Sequence, residues 1–365
     1  MTICHILALL TVVCSAIPQP QSHAQIHLLL RPESTLVCRI PDSDYRNLFR
    51  YLHLIDIAYC VGGFSRISPP FDCPLDCAEL FPHLTLVHQW CCTDSVCGYM
   101  ASTDEPLFPA NDTPNVAAQP LAYHTKLPRI SALPRTVVVA LRGTRSLADT
   151  LADLNIDMTP YVSAGGSVPP CGDLCKVHAG FHASYRAVVD VVEPFLETEL
   201  QKGGPHTNVV VVGHSLGGAV ALLVALHCLA LGVENTRVVT MGQPLVGNRP
   251  FAEWADYVLG SELPVGHCRR RWTRVVHKND IVATVPRGAF LHHYVQFHNQ
   301  VYVNTSAADY VPALKDVIDC RTRDNPRCIA GDVLRAGMAE YLLVHNTYFR
   351  HLGLCGARAR VGQSI

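Results

Sequence analysis

Residues 208–231 constrain this chain more than any other stretch, because they prescribe a strand, a sharp turn and a helix in direct succession. Asn208 and the run Val209 to Val212 read as a buried strand, Gly213-His214-Ser215-Leu216-Gly217-Gly218 follows, and Leu216 to Leu231 reads as an apolar helix. A serine raised on so tight a turn leaves no room for a side chain two positions before or after it, which explains glycine at 213 and 217. The helix also directs its N-terminus, with orphan N–H groups and the positive end of its dipole, at that serine. Ser215 is therefore the candidate nucleophile. The competing reading is an ordinary glycine-rich strand-to-helix turn.

The flanking sequence alternates in the same way. Thr136 to Leu141, Arg237 to Met241 and Trp272 to His277 read as strands, and Phe181 to Lys202 as a helix in which Pro194 is expected to make a kink or a split. Strands and helices taking turns give the α/β class, with a mostly parallel central sheet and helices on both faces. Upstream, Ser43 to Cys60 reads as a helix. A Cys- and Pro-rich region then runs to about Pro134 with few long periodic stretches, and is expected to be a disulfide-rich N-terminal decoration. Hydrophobic residues at 49% against 16% charged supply a large core with some apolar surface to spare, so residues 25–365 are expected to form a single domain.

Residues 1–24 read as a signal peptide, with the apolar run Ile6 to Ala16 and cleavage after Ala16 or Ala24. That run and Ala219 to Leu231 are too short to span a bilayer comfortably, so no transmembrane anchor is expected. Of the 16 cysteines, fourteen remain once Cys4 and Cys14 leave with the signal, an even number that suits an oxidising, extracellular compartment. Zinc is the rival explanation for Cys73-x3-Cys77 and Cys171-x3-Cys175, but neither has a second tight pair, and no metal is expected. Asn111 and Asn304 lie in glycosylation sequons. Lys plus Arg number 29 against 30 Asp plus Glu, with no basic stripe beyond Arg269 to Arg271, so nucleic acid is not an expected partner.

A serine hydroxyl needs a histidine to take its proton, and the histidine needs an acid to fix its tautomer. Asp280 falls just past the Trp272 to His277 strand, at the carboxyl edge where α/β sites gather, although a turn residue could occupy that place equally well. Spacing alone leaves the histidine open among His292, His293, His298, His345 and His351.

Together these segments resemble the class 3 lipase family, the fungal triacylglycerol lipase type of α/β-hydrolase. The resemblance rests on Leu141-Arg142-Gly143-Thr144-x-Ser146, Val177-His178-Ala179-Gly180-Phe181, the serine turn, Gly242 to Asn248, His277-x-x-Asp280-Ile281-Val282 and His345-x-x-Tyr348-Phe349, in that order. It implies Ser215 as nucleophile, Asp280 as orienting acid and His345 as general base. It further implies an oxyanion hole from Thr144 and the Leu216 N–H, with His214 and His178 structural and Arg142 a buried or loop-fixing cation.

A lid is implied over Ser146 to Asn155, where Leu147, Leu151 and Leu154 form an apolar stripe, although no tryptophan is present. The match also implies a Cys60–Cys355 disulfide between the chain ends, and the short-range pairs Cys171–Cys175 and Cys320–Cys328 are expected with it. Cys91 and its neighbour Cys92 stay unassigned. The implied activity is that of a secreted serine carboxylic ester hydrolase without a cofactor, foremost a triacylglycerol lipase working through an acyl-enzyme, on a lipid or ester substrate at a lipid–water interface. A feruloyl-type esterase, a phospholipase A, an acyltransferase and a lapsed binding protein are the alternatives.

Overall fold

The computed structural model describes residues 37–62, 66–91, 96–108, 134–144, 156–286, 293–298, 300–306, 311–320, 323, 328 and 338–355. The strands are β1 (Val37–Arg39), β2 (Thr85–Cys91), β3 (Cys97–Thr103), β4 (Thr136–Leu141), β5 (Met158–Pro160), β6 (Lys176–His178), β7 (Asn208–His214), β8 (Thr236–Met241), β9 (Trp272–His277), β10 (Gln300–Val303) and β11 (Val317–Cys320). The helices that matter here are α1 (Asp42–Ala58), α2 (Ala179–Gly203), α3 (Leu216–Ala230), α4 (Arg249–Leu259) and α5 (Met338–His345). β5 and β6 form a separate hairpin.

Nine strands make one sheet in the order β1-β11-β10-β9-β8-β7-β4-β3-β2. Its centre, β4-β7-β8-β9-β10, is parallel, and both edges are antiparallel. The valine runs explain the centre, because a strand covered on both faces must be apolar at every position. Val137, Val139, Val209 and Val211 enter the core beneath α2, α3 and α4. Val138, Ala140, Val210 and Val212 point the other way, to a second core closed by α1 and the chain around Phe71 and Phe81. All fifteen residues of α3 are buried, as expected of a helix with no polar face.

Two sequence expectations change. Of the kink or split expected at Pro194, the split does not occur, since α2 continues for 25 residues. The proline forfeits one backbone bond, but Tyr185, Val188, Val192 and Leu196 anchor the helix in the core on both sides of it. The Cys- and Pro-rich region is also more than decoration. It contributes β2 and β3 to the main sheet, and Tyr99 of β3, fully buried, donates its hydroxyl to the Leu54 carbonyl of α1 at 3.0 Å.

Cys60 is bonded to Cys355, Cys171 to Cys175 and Cys320 to Cys328. Cys91 finds its partner in Cys97, across the β2–β3 turn, and Cys73 pairs with Cys77. Both CxxxC segments are thus disulfides, which removes the zinc alternative for them. Cys38 and Cys268 are disulfide-bonded as well. Cys228, inside α3, is a free and buried thiol whose pKa burial pushes up to about 12, so an even cysteine count does not mean complete pairing here. The signal segment, the lid residues Leu147, Leu151 and Leu154, and Asn111 lie outside the described residues, whereas Asn304 is exposed at the end of β10.

The Cys60–Cys355 bridge closes a span of 295 residues. Loop-closure entropy puts its stabilisation at up to about 5 kcal/mol. Cys60→Ser should therefore lower the melting temperature by several degrees in thermal unfolding followed by circular dichroism, whereas Cys73→Ser, opening a span of 4 residues, should lower it less.

Candidate active site

The parallel strands bring the candidate residues to one edge of the sheet. β7 ends at His214, and Ser215 turns the chain with φ 58° and ψ −131°, a conformation that L-residues rarely adopt. The turn is held by the Ser215 N–H, which donates to the Met241 carbonyl of β8 at 3.0 Å. A Cβ on Gly213 would lie 2.3 Å from the Gly217 carbonyl oxygen, so the glycine spacing seen in the sequence follows from close backbone contact.

One residue beyond Met241, Gly242 faces the second part of the site. A Cβ there would lie 2.9 Å from both Asp280 Oδ2 and His345 Cε1, and its φ of +60° is itself suited to glycine. Asp280 sits three residues past the end of β9, and His345 arrives from the last residue of α5. His345 Nδ1 donates to Asp280 at 2.9 and 3.0 Å, and its other ring nitrogen, Nε2, is buried without a partner.

Asp280 has no exposure at all, so its charge needs internal donors. Besides His345, the Tyr348 hydroxyl donates to Oδ2 at 2.6 Å and the Val282 N–H to Oδ1 at 2.9 Å. Burial acts to raise the carboxyl pKa, but the charge and hydrogen bond of His345, with Tyr348, outweigh it and hold the group below its ordinary value. Burial and then the Asp280 charge raise the Tyr348 pKa well above normal, keeping its proton in place as a donor. Tyr348 is itself fixed by the His277 N–H at 3.1 Å.

The loop after β4 runs against the serine. Leu141 of β4 is in register with Gly213 of β7, so Thr144 and Leu216 each lie three residues beyond paired positions. A Cβ on Gly143 would lie 2.7 Å from Ser215 Cβ and 3.2 Å from its Oγ. Arg142 fixes this loop from beneath: its buried guanidinium donates to the Gly143 and Val61 carbonyls and to Cys97 Sγ. Leu216 begins α3, where helix geometry leaves its N–H free for an anion.

Of the late histidines among the described residues, His345 is the one whose ring bonds to Asp280. His293 is exposed, His298 and His351 are half-buried away from Asp280, and His292 lies outside the described residues. Two further residues shape the site without having been assigned a role from the sequence. Gly242 makes room for the Asp280–His345 pair. Arg274, buried and with its pKa lowered by burial to about 10, joins the Gln243 and Ala283 carbonyls that flank the pair. Among the described residues no cluster of His, Cys, Asp and Glu could hold a metal ion, and no helix is long and apolar enough to cross a membrane.

The fold and this edge define an α/β-hydrolase of the serine-turn type. A family profile described as lipase (class 3) matches residues 138–290. Over 85% of this chain and 82% of each relative, the sequence is 32% identical to a secreted mono- and diacylglycerol lipase of Gibberella zeae and 35% identical to Lipase A of Sodiomyces alcalophilus. Lip2 lipase from Yarrowia lipolytica superposes with a TM-score of 0.69 at 28% identity, covering 88% of this chain and 99% of that one. The chain belongs to the class 3 lipase family and is an ester hydrolase.

Two outcomes follow from the geometry. Gly242→Ala should push the Asp280–His345 pair apart and lower kcat for a soluble ester at least about tenfold, since small misplacements of reacting groups are costly. The protein should still fold, which circular dichroism would show. The second outcome concerns His214, whose pKa is lowered to about 3 by burial and then by the charge of His345. Between pH 6.5 and 3 the unfolded chain binds a proton at this residue and the folded chain does not, so stability should fall with pH by roughly 1.4 kcal/mol per unit. Urea unfolding at pH 7 and 4.5 should show a smaller loss for His214→Gln than for the wild type.

Proposed function

We propose that this protein is a secreted lipase that hydrolyses acyl glycerols through Ser215, His345 and Asp280. The observation that carries the reading is the buried Asp280–His345 pair packed on Gly242, one residue from the carbonyl that holds the Ser215 backbone. His345 takes the Ser215 proton on Nε2 as Oγ attacks the ester carbonyl. Asp280 keeps the proton of Nδ1 in place and stabilises the imidazolium that forms. Negative charge developing on the carbonyl oxygen is met by the N–H groups of Leu216 and Thr144 and by the Thr144 hydroxyl. The imidazolium returns its proton to the leaving alcohol, and a water molecule activated by the same histidine releases the acid from the acyl-enzyme.

Secretion is supported by the apolar N-terminal run, the disulfides and the relative named as secreted. In this reading residues 1–24 are removed and residues 25–365 act as one domain, with Asn304 open to glycosylation. Acyl glycerols are the favoured esters because both long relatives are named lipases and the chain is rich in apolar residues. Partial glycerides are a second reading, favoured by the printed name of the Gibberella zeae relative.

The test is hydrolysis of emulsified tri-, di- and monoacylglycerols and of phosphatidylcholine by the purified mature protein, beside its Ser215→Ala variant. Acyl glycerols should be cleaved in preference to the phospholipid. Ser215→Ala should lose on the order of 10⁶ in turnover with its melting temperature unchanged. Substantial activity in that variant moves the nucleophile elsewhere, and preference for phosphatidylcholine replaces the substrate class.

A further inference from the structure

His214, next to the nucleophile, is engaged at both ring nitrogens. Nε2 lies 2.8 Å from the His345 main-chain carbonyl, and Nδ1 lies 2.6 Å from the Tyr59 hydroxyl. A carbonyl only accepts, so Nε2 carries the proton, and Nδ1 must accept from Tyr59. The tautomer is thereby fixed. The imidazole is 1% exposed and its ring centre is 4.5 Å from that of His345, tilted by 34°. Burial holds it neutral. With no lone pair left and no charge, His214 has no means of serving as a second base.

What it touches is the main chain of the residue read above as the base. His345 is the last residue of α5, where carbonyls lack partners within the helix, and it is buried. Asp280 fixes the His345 side chain at Nδ1, and His214 fixes its backbone one bond beyond Cα. Two separate anchors are what it takes to aim Nε2, since a side chain held at one end still swings with its backbone. Tyr59 in turn is held firmly: it precedes Cys60 of the terminal disulfide, and Gly353 lies against its ring.

We propose that His214 and Tyr59 are positioning residues for ester hydrolysis, a neutral imidazole and a phenol that together hold the His345 carbonyl and so aim its ring at Ser215. The proposal rests on His345 being the base. It assigns function to a histidine that reads as structural from the sequence, and to a tyrosine 155 residues away from it.

Steady-state kinetics on p-nitrophenyl butyrate test it, using His214→Phe, His214→Gln, Tyr59→Phe and the double Phe variant, with His345→Ala alongside. His214→Phe keeps a planar ring but loses both polar contacts. It should lower kcat by about 10- to 100-fold with KM within about threefold, the size expected of a displacement near 1 Å. Gln can reach the same carbonyl with its amide, and should restore kcat to within about fivefold of wild type. Tyr59→Phe should lower kcat less than His214→Phe, and adding it to His214→Phe should cost nothing further, because the two act as one unit.

The proposal fails if folded His214→Phe keeps kcat within twofold of wild type, or if Gln is as impaired as Phe, since packing alone then accounts for the residue. Should His214→Phe not fold, Tyr59→Phe decides, as it deletes a single oxygen: lowered kcat at constant KM supports the proposal and unchanged kcat overturns it. An active His345→Ala would instead overturn the reading of the base, a result separate from these.

Discussion

The site is organised around a carboxylate that water cannot reach. Asp280 is fully buried, and a buried charge is tolerated only when its lone pairs are met by donors. The imidazole of His345, the Tyr348 hydroxyl and the Val282 N–H do so from three directions. Each donor fixes something else in turn. His345 is orientated, the Tyr348 segment is docked on β9, and the loop after β9 is drawn tight. Gly242 has to be glycine because any side chain would enter this cluster. The requirement to satisfy one charge therefore sets the course of four separate segments.

Those segments come from two sources with different physics. The serine turn, the loop with Thr144 and the loop with Asp280 all leave the carboxyl ends of strands in the continuous parallel run β4-β7-β8-β9, so the sheet sets their spacing by backbone hydrogen bonding. His345 belongs instead to a C-terminal segment whose described residues, 338–355, join no strand of that sheet. It is tied down by the disulfide to Cys60, by Tyr348 and by the His214 contact with its carbonyl. Terminal segments fray unless anchored, and here the anchors converge on His345.

Charge is distributed with the same economy. Asp280 is held ionised, His214 is held neutral beside it, and Tyr348 keeps its proton. A second imidazolium 4.5 Å from His345 would oppose the positive charge that the proposed mechanism places on His345. Burial of His214 removes that conflict, and the consequence is loss of stability on acidification.

The strand, turn and helix around Ser215 were legible in the sequence because their causes are local: apolar runs, a glycine two residues to each side and an uninterrupted apolar helix. The α/β alternation was legible for the same reason. β2, β3, β10 and β11 were not: β10 and β11 have only four residues each, and β2 and β3 lie in the Cys- and Pro-rich stretch, where few periodic runs stand out. Pro194 illustrates another case, in which core packing on both sides carries the helix through a proline without a split. Among the site residues, the Ser, Asp and His candidates could be named in order from their surroundings, but the choice of His345 over its neighbours came from resemblance to a family. The partners of His214 and the need for glycine at 242 depend on atoms far away along the chain. Local sequence determined which segments would be strands, turns and helices. Only the tertiary structure decided which buried polar atoms would meet, because hydrogen bonds across 155 or 65 residues leave no periodicity to read.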